Sequence, residues 1–218
     1  MLIPLETLNL TDSEVSEIGS DSDSDDETHP RSRRRSSASG HSDIVTHDEF
    51  YAEANESLSR AFNENHSIDN ATIELKTLRM ATNVTSHEVR EAIITALMDV
   101  YISEPGTKGR GIIKKWASLL DRFSMEDVDD QIDILLILQR YFVKKVREGV
   151  VSLGKFVRAL QDFYDADVLE EDKIIRWYGD ERAKGSGDKW GTDMLAVRDS
   201  AEKLVTWLEE AEEESDEE

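Results

Sequence analysis

Two stretches of the chain join a tryptophan to a run of carboxylates. They are VLEEDKIIRWYGDERA at 168–183 and KLVTWLEEAEEESDEE at 203–218. The first offers Glu170, Glu171, Asp172, Asp180 and Glu181 around Trp177 and Tyr178. The second offers Glu209, Glu210, Glu212, Glu213 and Glu214 after Trp207 and Leu208. Carboxylates beside aromatic rings suit one ligand chemistry, the lysine-rich peptide. The rings take aliphatic stems and attract the ammonium charge, and the acids pair with the ammonium heads. Each exposed pair contributes only about 0.2–1 kcal/mol, so affinity needs many pairs and an aromatic anchor. The competing reading is that both tryptophans close the core. In the last helix Val197, Ala201, Leu204 and Leu208 form an apolar stripe at heptad-like spacing. Trp207 lies about 100° from Leu208 and about 60° from Leu204 around that helix, so it flanks the stripe. Position alone leaves core and surface both open.

No bond-making constellation accompanies these boxes. GTKGRG at 106–111 and GSGDKWG at 185–191 lack the spacing of a phosphate loop and follow no strand, so they read as loops. The five histidines are scattered without metal-ligand spacing. MEDVDD at 125–130 is acidic but lacks the glycine and closing glutamate of a calcium loop. There is no cysteine, which excludes disulfides and thiolate zinc sites. The reading is a binding module, not a bond-making enzyme, with no cofactor and no metal.

The elements that must position the boxes are helices. From Asp48 the apolar residues recur at helical spacing. FYAEANESLSRAFNEN places Phe50, Ala54, Leu58 and Ala61–Phe62 on one side. SIDNATIELKTLRMATN places Ile68, Ala71, Leu75, Leu78 and Ala81 on a face. TSHEVREAIITALMDVYI opens with Thr85 and, three residues on, Glu88, the pattern of a capping box. Pro105 and three glycines then break the pattern. Five further helices are expected at roughly 112–123, 126–147, 152–165, 170–183 and 190–213, with strand signals nearly absent. The stretch VDDQIDILLILQRYFVKKV is apolar nearly all round, so its helix is expected at the centre. The fold class is all-α: a HEAT-like α-solenoid of about eight antiparallel helices behind a disordered linker.

The expected domains are 1–10, a remnant of an upstream domain; 11–46, the linker; 47–213, the helical domain; and 214–218, an acidic tail. Residues 1–10 also carry the leucine spacing of an export signal. The linker holds an acidic block, SDSDSDDE at 20–27, and a basic block, RSRRRSSAS at 31–39. Such composition cannot bury enough apolar surface to order itself. Ser20, Ser22 and Ser24 suit an acid-directed kinase, as does Ser215 in the tail, and Ser36 and Ser37 suit a basic-directed one. The chain of 218 residues has a formal net charge of −22. That argues against nucleic acid as a partner and favours a basic protein. No run of about 18 apolar residues would span a membrane, so a cytosolic location is expected.

The segment 48–218 resembles the C-terminal catalytic domain of the epsilon subunit of eukaryotic translation initiation factor two-B. ATIELKTLRMATNVTSHEVR, EEDKIIRWYGDE and WLEEAEEESDEE carry the resemblance. The two boxes are also shared with the C-terminal domains of initiation factor five and the four-G scaffold. The resemblance implies guanine-nucleotide exchange on initiation factor two. Its implied partners are that factor's beta-subunit lysine-rich tail and its gamma-subunit GTPase. Other subunits of the two-B complex are implied for a full-length chain. It also implies a role in exchange for Glu74, in TIELKTL, and for Trp207. Read from the residues alone, Glu74 is a solvated helix carboxylate. The family's upstream nucleotidyltransferase-like domain and β-helix are not in this sequence. The alternative is a non-catalytic scaffold binding lysine-rich partners through the same surface.

Overall fold

The computed structural model describes residues 39–104, 107–124, 129–187 and 189–216, with the side chains of 39–46, 107 and 212–216 excepted. The apolar decapeptide, the linker serines Ser20, Ser22, Ser24, Ser36 and Ser37, and the side chains of Glu212, Glu213, Glu214 and Ser215 lie outside the described residues. Nine helices and no strand occur among the described residues: α1 (Ser39–Asn63), α2 (Ile68–Thr82), α3 (Ser86–Ser103), α4 (Thr107–Asp121), α5 (Asp130–Arg147), α6 (Leu153–Tyr164), α7 (Glu171–Gly179), α8 (Gly191–Asp199) and α9 (Glu202–Asp216). α1 begins inside the stretch that composition assigns to the linker.

The helices stack in two layers. α1, α3, α5 and α7 pack in succession, α2, α4 and α6 line the other side, α8 packs on α5 and α9 on α7. This is a HEAT-like all-α fold. The core runs unbroken from Phe50, Ala54 and Leu58 of α1 to Val205 and Leu208 of α9. α5 holds the centre, as its all-round apolarity implies: Ile132, Leu135, Leu138, Phe142 and Val143 are fully buried.

Local chemistry sets the boundaries. Thr85 and Glu88 form the capping box: the Thr85 amide donates to the Glu88 carboxylate at 2.7 Å and the Glu88 amide to the Thr85 hydroxyl at 3.4 Å. Ser67 caps α2 by accepting from the Asn70 amide at 3.2 Å. Two expectations need correction. The break after α3 is shorter than its glycines suggest, because Gly109 and Gly111 lie inside α4. Gly109 lies against the Tyr101 ring, where a Cβ would come within 2.9 Å of Cδ2. That close approach lets the Tyr101 hydroxyl donate to Asp162 at 2.9 Å. The expected final helix, 190–213, is two helices. The Ser200 hydroxyl donates to the Val197 carbonyl at 2.6 Å, and the Ala201 amide bonds Arg198 at 2.9 Å instead. A side chain that shares a helix carbonyl competes with the backbone ladder and favours a bend there.

Two buried charges tie the layers. Asp162, 3% exposed, accepts from Tyr101 of α3 and, at 2.7 Å, from Arg110 of α4. Arg90, 5% exposed, pairs with Asp130 and Asp133 of α5 at 2.8 Å and donates to the Phe123 carbonyl at 2.9 Å. At the rim of this second cluster His87 Nδ1 lies 2.7 Å from Asp133 Oδ1. The hydrogen bond to Asp133 raises His87 above its ordinary 6.5. Burial pushes Asp133 up, but hydrogen bonds from His87 and Arg90 outweigh it and hold the carboxyl below its ordinary 3.8.

The sign of the pH effect follows. A raised histidine stabilises the fold fully below about pH 6.5, and that contribution is lost as pH rises through the folded value. A lowered aspartate stabilises above about pH 4 and is lost as pH falls through its folded value. The pair is therefore at full strength between about pH 4 and 6.5. His87 is partly solvated, so its share is under about 1 kcal/mol. His87→Gln should melt below the parent near pH 5.5, and the gap should close by pH 8. Thermal unfolding followed by circular dichroism at both pH values checks this. A gap that is constant with pH would contradict it.

Candidate functional site

The first acidic-aromatic box starts at α7. Trp177 points inward: it is 0% exposed, packs against Phe156 with ring centroids 5.9 Å apart, and donates through Nε1 to Gln139 Oε1 at 3.1 Å. The expectation that Trp177 forms part of the partner surface is therefore corrected. It is a core residue whose polar edge is satisfied inside. Leu208, also at 0% exposure, is corrected in the same way. Tyr178 is half-buried, with the Arg198 guanidinium carbon 4.5 Å from its ring centroid.

The acids of this box are largely engaged by neighbours. Asp180 accepts from Arg182 side-chain nitrogens at 2.7–3.2 Å and from the Arg182 amide at 2.8 Å, closing the turn after α7. Hydrogen bonds from Arg182 hold Asp180 below the usual carboxylate range despite partial burial. Glu181 is likewise lowered by Lys184, at 2.6 Å, and by Ser186. Asp172 lies 2.7 Å and Glu170 3.9 Å from Lys173. Much of the first box's charge is thus neutralised at source.

The second box behaves differently. α9 buries Val205 and Leu208 and leaves Leu204 half-buried, with Ala201 buried just before it, so Val205 takes a core place that the heptad reading gave to Leu204. Val197 belongs to α8. Trp207 stands 52% exposed, against Tyr164 of α6 in an edge-to-face pair with centroids 6.4 Å apart. Position around the helix left the choice open, and the outcome is an indole packed along one side and open to solvent along the other. Glu209 and Glu210 follow it, both exposed.

Tyr164 brings in residues that the box reading missed. Its hydroxyl reaches Glu171 Oε2 at 3.5 Å, while Glu171 Oε1 is buried with no hydrogen-bond partner. Burial, then the negative charges of Glu171, Asp165 and Asp167, push the phenol up. Asp165 and Asp167, both exposed, sit in the turn between α6 and α7. The site around Trp207 is therefore Tyr164, Asp165, Asp167, Glu171, Glu209 and Glu210. The sequence signal for the added residues was YDAD at 164–167, an aromatic beside acids that precedes the box.

Glu74 lies elsewhere. α2 packs on α1 and α4, and α9 packs on α7, so the two sites occupy opposite ends of the stack. The Glu74 carboxylate accepts from the buried Ser57 hydroxyl and lies 4.0 Å from Arg60. It opens on a groove of about 480 Å³ between α1 and α2, which Glu53, Glu56, Ile73 and Thr77 also line. Ile73 is 63% exposed. A carboxylate pinned by a buried hydroxyl is held rigid, more than a free solvated one would be. No group of three or more potential metal ligands occurs among the described residues. No helix among them is long and apolar enough to cross a membrane.

Residues 130–218 match the family described as W2: eIF4-gamma/eIF5/eIF2-epsilon. Over 97% of its length the chain is 39% identical to the translation initiation factor eIF2B subunit epsilon of Schizosaccharomyces pombe, of which it covers 30%. It is 28% identical to the protein krasavietz of Drosophila melanogaster, over 76% of this chain and 38% of that one. The chain thus spans well under half the length of these relatives. Among solved structures, the C-terminal domain of translation initiation factor 5 at low pH superimposes with a TM-score of 0.56 at 22% identity, covering 79% of this chain and 95% of that one. That likeness establishes the fold.

Burial separates the two tryptophans energetically. Trp177→Ala removes a sealed ring and orphans Gln139, and should cost about 3–5 kcal/mol. Trp207→Ala should cost under about 1 kcal/mol. Urea denaturation midpoints measure both, and comparable losses would contradict the assignment.

Proposed function

We propose, from the match of residues 130–218 to the W2 family model, that this chain is a guanine-nucleotide exchange domain acting on initiation factor two. The reading rests on its relationship to eIF2B subunit epsilon across nearly its whole length. The observation that carries it is the half-exposed Trp207, set against Tyr164 and ringed by carboxylates that face solvent.

In this proposal the Trp207 face takes the lysine-rich tail of the beta subunit. Trp207 and Tyr164 receive lysine stems, and Asp167, Glu209 and Glu210 receive ammonium groups, with Asp165 joining them once it leaves Arg110. Glu170, Asp172, Asp180 and Glu181 serve only after exchanging their present partners. The tail residues Glu212, Glu213 and Glu214 add long-range attraction. Steering by a net charge of −22 speeds the encounter and weakens with salt. A phosphate on Ser215 would deepen the same negative field.

The other end supplies the exchange step. Glu74, held by Ser57, is offered to the gamma-subunit GTPase across the α1–α2 groove. A fixed carboxylate near a nucleotide site disturbs Mg²⁺ or phosphate contacts, or the switch loop that depends on them, and GDP leaves faster. The exchange domain itself needs no nucleotide pocket. Gripping a flexible tail at one end raises the effective concentration of the GTPase at the other. The two-B complex and the cytosol are the setting this role requires.

Release of labelled GDP from purified initiation factor two tests the proposal. The chain should accelerate release. Glu74→Ala should lose the acceleration while still binding a lysine-rich peptide. Trp207→Ala should lose affinity for that peptide by about tenfold or more. Binding without acceleration by the parent chain would establish the scaffold reading instead.

A further inference from the structure

A slot on the α3–α5 side carries the opposite charge to the rest of the molecule. It encloses about 290 Å³, and Ile137, Arg140, Tyr141, Lys144 and Lys145 of α5 line it together with Trp190 at the entry to α8. Ile137 and Tyr141, 4% and 8% exposed, make an apolar floor. Cations gather on its aromatic rings. Lys189 Nζ lies 4.5 Å and the Arg147 guanidinium carbon 6.0 Å from the Trp190 ring, and Lys145 Nζ lies 5.2 Å from Tyr141.

The carboxylates nearby already have donors. Asp99 accepts from Tyr141 at 2.7 Å and pairs with Lys145 at 2.9 Å. Glu91 accepts from the Tyr51 hydroxyl, and Asp193 pairs with Arg147. Lys144 and Lys189, both exposed, make no ion pair among the described residues. In a chain of net charge −22, a slot with an apolar floor, an aromatic wall and a rim of surplus cations is a local reversal of sign.

We propose that this slot is a second docking site, for an acidic peptide segment of a partner protein that carries one apolar or aromatic side chain. Charge complementarity selects the peptide: its carboxylates pair with Lys144 and Lys189, and its apolar side chain enters over Ile137 and Tyr141 beside Trp190. A nucleic acid fits less well, because a phosphate at every step would outnumber the slot's surplus cations, whereas a peptide can set a few carboxylates around one apolar side chain. The site does not depend on the exchange reading, since it shares no residue with the Glu74 groove or the Trp207 face.

The test is fluorescence anisotropy with a labelled peptide of eight glutamates interrupted by one phenylalanine. The intact chain should bind it saturably. The double variant Lys144→Glu, Lys189→Glu leaves the core untouched and should weaken binding by about tenfold. Trp190→Ala should do the same, and Trp207→Ala should leave it unchanged. No saturable binding, or binding unaffected by the double variant, would overturn the proposal. So would full displacement of the peptide by a single-stranded RNA oligomer, or sedimentation showing that Lys144 and Lys189 instead hold a second copy's acidic tail.

Discussion

The C-terminal half depends on one buried amide. Gln139 is fully buried in the middle of α5. Its Nε2 donates to the Ala183 carbonyl at 2.8 Å and the Met194 carbonyl at 2.7 Å, and its Oε1 accepts from Trp177 at 3.1 Å. Both N–H groups and the carbonyl are used, so a polar side chain that would be costly alone becomes a three-way tie. It fixes α7, the turn after it and α8 onto the central helix. The loop between α7 and α8 then closes on itself: Gly185, at φ +75°, leaves no room for a Cβ against the Gly191 backbone, 2.5 Å away. α9 packs on α7, so the exposure of Trp207 is inherited from the same tie.

Electrostatics divides the surface by degree of engagement rather than by count of acids. The first box is as acidic as the second in sequence, yet Lys173, Arg182 and Lys184 bind its carboxylates. Near Tyr164 and Trp207, Asp167, Glu209 and Glu210 make no ion pair among the described residues, while Asp165 lies 3.5 Å from Arg110. A basic partner of the proposed kind would find unpaired acids there beside an exposed ring. Trp177 contributes by holding that face in place.

Periodicity and capping made most of the fold legible. Thr85 and Glu88 marked the start of α3, and the all-round apolarity of α5 marked its centrality. The misreadings have local causes. Gly109 looked like a breaker but serves the Tyr101 ring, a contact with the helix before it. Ser200 looked like an ordinary helical residue but took a carbonyl from the ladder. At the site, amphipathic spacing could not decide between Trp177 and Trp207. Their difference rests on Gln139, 38 positions upstream of Trp177, which no local window sees. Asp165 and Asp167 were visible as acids, but only the turn between α6 and α7 sets them near Tyr164, which packs on Trp207. Glu74 had no pattern of its own beyond a family resemblance, and its hold on Ser57 depends on α1 and α2 being neighbours.

The Gln139 tie holds the proposed binding face in place from beneath. Gln139→Leu, which fills the space but makes none of the three bonds, tests it directly through amide hydrogen exchange read alongside affinity for a lysine-rich peptide. The account predicts lost protection across α7 to α9, intact protection across α1 to α4, and weaker peptide binding although Trp207 is unchanged. Parent-like protection in α7 to α9 with undiminished affinity would contradict it.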